Sequence, residues 1–206
     1  SENSEFANLC EKNGLILIGP SAKVMEQMGD KIAARNLMKK AGVPVIPGTD
    51  EAIENTEDAI KIANEIGYPI MLKASAGGGG IGMQIVRSDE ELASAFESNS
   101  KRAEQFFGNG AMFMEKLLEN ARHIEVQVIG DQFGNAVHLF ERECSVQRRN
   151  QKVLEEAPSP FISEETRMKM GEASVKAVKE IGYQNAGTIE YLVDENEQFY
   201  FLEMNT

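Results

Sequence analysis

Hydrophobic and polar positions alternate along the first part of the chain in a way that predicts one strand followed by two helices. The apolar run over residues 15–19 predicts a buried strand. Helices are predicted from Ser21 and over residues 30–42, each beginning at a residue whose side-chain oxygen can cap the first turn. The proline-containing segment 43–48 predicts an extended connector and the first candidate domain boundary.

The middle of the chain has the pattern of a small α+β unit. An amphipathic helix is predicted over residues 55–67, with a strand before and after the glycine run at 76–82. A helix over 89–106 and a short apolar strand within 111–118 complete the unit.

Strands dominate the last part of the chain. They are predicted at residues 124–129, 136–140 and 152–154, and a helix is predicted over 163–181. Two further apolar runs around an acidic turn, within residues 187–205, are typical of a hairpin. The pattern therefore predicts an α+β fold with substantial antiparallel sheet.

Charge and cysteine content narrow the possible partners. The chain has 33 acidic and 21 basic residues, a formal net charge of −12, which disfavours a nucleic acid partner. Cys10 and Cys144 lack metal-type spacing, and a reducing, cytoplasmic setting is expected. No apolar run reaches membrane-spanning length, so no membrane association is expected.

The glycine run "AGGGGIG" at residues 76–82 suggests contact between backbone and phosphate. It matches G-x-G-x-x-G, but a strand rather than a helix follows it, which disfavours a dinucleotide-binding turn. A flap over nucleotide phosphates fits strand–loop–strand better, although the other kinase motifs are missing. The alternative is a flexible hairpin tip. Lys73, within an apolar run, requires an anionic partner and favours the flap.

The acidic hairpin carries candidate metal ligands. Glu190 lies on its first strand, while Glu203 and Asn205 share a face of the second. Two carboxylates and an amide oxygen are suited to Mg²⁺ shared with nucleotide phosphates. The pattern is equally compatible with glutamates that face solvent.

Several longer motifs give the chain a family resemblance. With "MGDK", "LKASAGGGG", "FMEKLLENARHIEVQV", "ERECSVQRRNQKVLEEAPSP" and "FLEMNT", it resembles the biotin carboxylases over essentially its whole length. The resemblance implies an ATP-grasp fold and an ATP-dependent C–N ligase. That family makes carboxyphosphate from ATP and bicarbonate and then carboxylates the N1 atom of biotin.

The resemblance also implies domains and partners. Residues 1–45 correspond to the end of the N-terminal subdomain and linker helices, 46–118 to the lid, and 119–206 to the first, incomplete part of the C-terminal subdomain. An arginine and a glutamate that act on bicarbonate and biotin would follow Thr206, so we expect a piece of a longer enzyme that does not turn over alone. Implied partners are a biotin carrier domain, a carboxyltransferase and further copies of the chain, in the cytoplasm or mitochondrial matrix.

On the nucleotide side, the resemblance assigns ATP phosphate contacts to Lys31 and Lys73. Gly79 and Gly80 would belong to the lid, and His123 would reach the ribose. The adenine would be read largely by backbone groups of the hinge, namely Glu115, Lys116, Leu117 and Leu118. From the residues alone, Lys31 is an ordinary solvated charge and His123 a structural histidine.

On the metal and bicarbonate side, the resemblance assigns Mg²⁺ or Mn²⁺ to Glu190 and Glu203, with Asn205 on a second ion. Gln147 and Lys152 would lie near bicarbonate.

Two positions depart from the family pattern. Ile81 stands where members commonly have Arg or Lys, and Asn150, a candidate nucleotide contact, stands where many have His. Two alternatives stay open: another ATP-grasp ligase such as a carbamoyl phosphate synthetase half, or a non-catalytic nucleotide-binding module.

Overall fold

The computed structural model describes residues 3–76, 82–149 and 151–205, and the chain divides into two compact units. The larger unit comprises residues 1–29, 33–45 and 120–206, and the smaller unit comprises residues 30–32 and 46–119. In chain order the elements are α1 (Ser4–Lys12), α2 (Ala22–Gly29), α3 (Lys31–Lys40), α4 (Thr56–Ile66), β1 (Ile70–Ala74), β2 (Met83–Val86), α5 (Asp89–Phe107), β3 (Met112–Lys116), β4 (Arg122–Gly130), β5 (Ala136–Arg148), β6 (Gln151–Glu156), α6 (Glu164–Ile181), β7 (Asn185–Val193) and β8 (Phe199–Asn205).

The smaller unit is a three-stranded antiparallel sheet with α4 and α5. Its strand order is β2-β1-β3, so β1 is the central strand. Ile70 and Leu72 of β1 are fully buried in its core. The predicted strands on each side of the glycine run are confirmed, because β1 and β2 pair up to Lys73 and Met83.

Gly82, where the chain enters β2, has a backbone conformation that favours glycine. Its φ is +76°, and a Cβ atom there would lie 2.9 Å from the Cβ of Ala74. A side chain at this position would disturb the last pairs between β1 and β2.

The larger unit is a five-stranded antiparallel sheet in the order β6-β5-β4-β7-β8, which confirms the predicted hairpin of β7 and β8. Its apolar core includes Ile124 and Val126 of β4, Tyr191 of β7 and Met170 of α6. Because successive side chains of a strand point to opposite faces, the alternate residues of β4 form a second, polar face. That face carries the candidate site.

Capping residues set several helix starts as predicted. Ser21 Oγ accepts from the Val24 backbone N–H at 3.4 Å, and Asp30 Oδ1 accepts from the Ile32 backbone N–H at 2.9 Å. Each bond satisfies a donor that the first helical turn leaves free.

The predicted strand at residues 15–19 is wrong. Ile16 and Ile18 are 95% and 87% exposed, and the run belongs to no strand. An apolar run becomes a strand only where another strand satisfies its backbone and a surface covers its side chains. Among the described residues, nothing pairs with this run in a sheet.

No helix in the described part of the chain has the length and apolar character needed to cross a bilayer.

Candidate functional site

A rung of charged side chains crosses the larger sheet. The strand register places Arg142 opposite Glu125, Glu125 opposite Glu190, and Glu190 opposite Glu203. Directly opposite residues of antiparallel strands have Cβ atoms about 5 Å apart. The sheet thus brings together four charged residues from two pairs of consecutive strands, β4 with β5 and β7 with β8.

Glu190 is the centre of this rung and is 3% exposed. Its Oε2 lies 2.6 Å from His123 Nε2, and its Oε1 lies 2.6 Å from Lys152 Nζ and accepts from Asn205 Nδ2 at 2.5 Å. Burial by itself raises the pKa of Glu190, but hydrogen bonds from His123 and Lys152, together with the charge of Lys152, outweigh it and lower the pKa to about 2. Glu190 is therefore a carboxylate at neutral pH.

Lys152, from β6, links Glu190 to Glu125. Its Nζ contacts Glu125 Oε2 in addition to Glu190 Oε1. Burial lowers the pKa of Lys152, but hydrogen bonds to the two carboxylates raise it above its ordinary range. The structure therefore presents a fixed ammonium group on the polar face of the sheet.

His123 connects Glu190 to Gln147. The amide nitrogen of Gln147 lies 2.9 Å from His123 Nδ1 and also donates to the Cys144 carbonyl at 2.9 Å. Because that nitrogen is a donor, Nδ1 acts as acceptor and the ring proton lies on Nε2, which faces Glu190. Five residues that the sequence singled out thus meet at one place: His123, Gln147, Lys152, Glu190 and Asn205.

The donor set of the hairpin fits a divalent cation. Glu190 is ionised and buried, whereas Glu203, opposite it, is exposed. Asn205 uses its amide nitrogen on Glu190, which leaves its oxygen as the donor for a cation. Carboxylate and amide oxygens are the ligands that Mg²⁺ prefers.

A second group of possible metal ligands lies near the rung, formed by Glu125, Cys144 and Glu155. Burial raises the pKa of Cys144 to about 12, with a smaller contribution from the Glu125 charge, so its thiol stays protonated. Glu125 is bound by Arg142 and Lys152. The protonated thiol leaves the group poorly suited to a cation.

In the smaller unit, Lys73 forms a buried ion pair. Its Nζ lies 2.5 Å from Glu115 Oε2, and the two side chains are 10% and 8% exposed. The ammonium also lies 5.8 Å from the ring centroid of Phe113. The anionic partner that burial requires thus comes from a neighbouring strand of the same sheet, and contact of Lys73 with phosphate stays a prediction.

The hinge segment that follows β3 uses part of its backbone internally. The Lys116 N–H donates to the Pro47 carbonyl at 2.7 Å and the Leu117 N–H to the Pro69 carbonyl at 3.1 Å. Adenine recognition by this segment, which continues to the half-buried Leu118, would depend on its other backbone groups.

Of the predicted positions that remain, Lys31 is the one that the structure describes. Lys31 begins α3 and is half-buried. Four predicted positions lie outside the described residues: Gly79, Gly80, Ile81 and Asn150.

Sequence reasoning missed Glu125 and Arg142. Glu125 is 3% exposed and its Oε1 accepts from Arg142 Nε at 2.7 Å. The available signal was a carboxylate in an apolar strand, "RHIEVQV", which is the same signal that singled out Glu190.

Known proteins resemble this chain over its whole length. Biotin carboxylase 2 of Bacillus subtilis is 60% identical over all 206 residues, which cover 46% of that protein. The 2-oxoglutarate carboxylase small subunit of Hydrogenobacter thermophilus is 52% identical, with 44% covered. The chain spans about half the length of these curated relatives. The expected similarity to biotin carboxylases is confirmed.

Solved structures match the fold. A crystal structure of a biotin carboxylase-beta-gamma-ATP complex from Campylobacter jejuni has a TM-score of 0.96 at 53% identity, covering all of this chain and 46% of that one. The biotin carboxylase domain dimer of Hydrogenobacter thermophilus 2-oxoglutarate carboxylase, with MgADP, ADP and bicarbonate, has a TM-score of 0.95 at 53% identity, covering all of this chain and 45% of that one. The predicted α+β ATP-grasp fold is confirmed. Since residues 30–206 match the family described as "Carbamoyl-phosphate synthase L chain, ATP binding domain", the chain belongs to that family.

Proposed function

We propose that the chain is the ATP-binding part of a biotin carboxylase, which uses ATP and bicarbonate to carboxylate biotin on a carrier. The observation that carries the proposal is the convergence of His123, Lys152 and Asn205 on the buried carboxylate of Glu190. The sequence resemblance assigns each of these residues to the nucleotide, metal or bicarbonate side of the site. Whole-length identity of 60% to a biotin carboxylase supports the same reaction.

Phosphoryl transfer depends on positioning and on neutralisation of charge. Lys31 and Lys73 are the candidate cations for the ATP phosphates, and Gly79 and Gly80 would bring backbone N–H groups to them. His123 would reach the ribose.

Glu190 and Glu203 would hold a divalent cation, Mg²⁺ or Mn²⁺, with Asn205 on a second one. When bound, such ions neutralise the phosphate oxygens during transfer. Glu190 serves this role because its low pKa keeps it ionised across the physiological range.

Lys152 and Gln147 are the candidate groups for bicarbonate. The ammonium of Lys152 is fixed on the polar face and can orient the anion so that one of its oxygens attacks the γ-phosphorus. The bond between that phosphorus and the ADP oxygen then breaks, which gives carboxyphosphate and ADP. The bond between the carboxyl carbon and the phosphate oxygen then breaks, the released inorganic phosphate takes the proton of biotin N1, and N1 bonds to the carboxyl carbon.

The description of the family favours one second candidate, a ligase of the carbamoyl phosphate synthetase type. The relatives at 50–60% identity are instead biotin carboxylases and subunits of other carboxylases. Partners of the parent protein would be a biotin carrier, a carboxyltransferase and a further copy of itself. A cytoplasmic or mitochondrial matrix location accords with this function.

The experiment compares ADP release by the full-length protein with ATP, Mg²⁺ and bicarbonate in the presence of biotin or of ammonia. Stimulation by biotin, with formation of carboxybiotin, supports the proposal. Stimulation by ammonia alone supports the second candidate, and nucleotide binding without ADP release supports a non-catalytic module.

A further inference from the structure

The face of the smaller sheet that carries Lys73 continues for one residue beyond the end of β1. The backbone N–H of Ser75 donates to the Ala111 carbonyl at 2.9 Å, which extends the pairing of β1 with β3 past Ala74. Successive side chains of a strand point to opposite faces, and Ala74 lies in the apolar core of the unit. Ser75 and Lys73 therefore share the face that points away from that core.

The hydroxyl of Ser75 is buried without a hydrogen-bond partner. Ser75 is 2% exposed, and its Oγ has no partner among the residues that the structure describes. The buried Ser174 behaves differently, because its Oγ donates to the Met170 carbonyl at 2.7 Å and lies 2.8 Å from the Tyr191 hydroxyl. Buried polar groups are nearly always hydrogen-bonded, and an unpaired one costs free energy until a partner arrives. The unpaired hydroxyl of Ser75 thus points to a ligand.

The surroundings of this hydroxyl indicate the charge of that ligand. The Lys73 ammonium, on the same face, contacts Glu115 at 2.5 Å and lies 5.8 Å from the ring centroid of Phe113. An ammonium attracts an anion, and a hydroxyl can donate its hydrogen to an anionic oxygen. Residues two apart on a strand are separated by about 6.6 Å, which is too far for the two oxygens of one carboxylate but within the span of a polyphosphate.

We infer that Ser75 is a further phosphate-binding residue, whose hydroxyl donates to a phosphate oxygen of the nucleotide beside the Lys73 ammonium. The inference rests on the proposed function, because it takes the ATP phosphates as ligands of Lys73. Without nucleotide the hydroxyl stays unpaired, so the hydrogen bond that it forms on binding contributes to affinity without replacing a bond within the protein.

The test is Ser75→Ala in the full-length protein, with Kd measured by titration calorimetry for ATP with Mg²⁺ and for adenosine. We expect Kd for ATP to rise about 10- to 100-fold, because a hydrogen bond to a charged oxygen is lost. Kd for adenosine should change less than about twofold, since adenosine carries no phosphate.

The thermal unfolding midpoint without nucleotide gives an independent readout. Ser75→Ala removes an unpaired buried hydroxyl, so we expect the midpoint to stay the same or to rise. Ser100→Ala is the matched control in the same unit, because Ser100 Oγ donates to the Gly110 carbonyl at 2.8 Å. We expect Ser100→Ala to lower the midpoint and to leave Kd for ATP unchanged, which is the opposite result for both quantities.

The inference is overturned if Ser75→Ala binds ATP with wild-type affinity, or if Kd for adenosine rises as much as Kd for ATP. A lowered midpoint together with weaker binding of both ligands would make the hydroxyl structural and overturn the inference as well. If Ser75→Ala does not fold, Ser75→Cys decides the question, because a thiol has a similar shape but is a weak donor. We expect it to weaken ATP binding alone.

The same titrations separate this inference from the proposed function. A wild-type protein that does not bind ATP contradicts the proposed function, and the inference fails with it. A wild-type protein that binds ATP, with an unaffected Ser75→Ala variant, overturns the inference alone.

Discussion

The two units bury charged side chains in different ways. In the larger unit, Glu190 shares a network with His123, Lys152 and Asn205. In the smaller unit, Lys73 and Glu115 form a compact buried pair between neighbouring strands. A network gives each carboxylate several partners, so that a ligand can replace one of them. Removal of either member of the Lys73–Glu115 pair costs stability, because the buried charge of the other member loses this contact.

The largest expected effect concerns the centre of the network. Glu190→Gln keeps the shape but removes the charge that His123 and Lys152 contact. We expect kcat for bicarbonate-dependent ATP cleavage by the full-length protein to fall about 100- to 1,000-fold. Glu195→Gln, an exposed residue in the turn of the same hairpin, is the matched control. Activity of Glu190→Gln near that of the control would remove Glu190 from the site.

The second prediction separates two roles of Lys73 in the smaller unit: stabilising the buried pair with Glu115 and binding phosphate. Lys73→Ala removes the ammonium that contacts the buried Glu115 at 2.5 Å, and we expect the free energy of unfolding to fall by about 3–5 kcal/mol. KM for ATP should rise, or kcat fall, at least about tenfold if Lys73 also binds phosphate.

The double variant Lys73→Met with Glu115→Leu decides between these roles. Apolar side chains of similar size often replace a buried pair without loss of stability. We therefore expect stability to return toward wild type while KM for ATP stays raised. Wild-type kinetics for ATP in the double variant would make Lys73 structural.

The third prediction concerns the pH dependence of stability. The pKa of Glu190 is lowered from 4.5 to about 2, so its contribution is present in full above pH 4.5 and is lost as pH falls toward 2. At about 1.4 kcal/mol per pKa unit, the contribution is on the order of 3 kcal/mol. Thermal unfolding of wild type and Glu190→Gln should therefore converge as the pH is lowered, and a constant difference would contradict the prediction.

The smallest expected effect compares the buried pair with an exposed one in the same unit. Arg87 Nη2 lies 3.3 Å from Glu119 Oε1, and both side chains are more than half exposed. Solvent and salt screen such pairs, so we expect Arg87→Ala to change the free energy of unfolding by about 0.5 kcal/mol or less. A loss near that of Lys73→Ala would contradict the distinction between the two pairs.

Local sequence patterns predicted most helices and strands, because capping, periodicity and turn chemistry act between residues that are close together in the chain. The cap at Ser21, the strands on each side of the glycine run and the hairpin of β7 and β8 follow from spacing and turn chemistry. The strand predicted at residues 15–19 was wrong because a strand also needs a partner, and spacing alone does not reveal one.

At the candidate site, too, the sequence predicted some features and only the structure revealed the others. The sequence identified Glu190 as a carboxylate in an apolar strand and left open whether it or Glu203 faced solvent. The structure buries Glu190 and exposes Glu203, because the sheet covers one position and leaves its neighbour at the edge strand β8 open. Glu125 and Arg142 became visible only when the register joined β5, β4 and β7.

The sequence by itself determined the α+β class, most helix and strand positions, the family resemblance and the residue types of the proposed phosphate and metal site. Only the tertiary structure decided that Lys73 pairs with Glu115 and that Lys152 lies between Glu125 and Glu190. The physical reason is that capping and periodicity act over a few residues, whereas the burial and pairing of a charge depend on strands that meet across 27 to 42 positions of sequence.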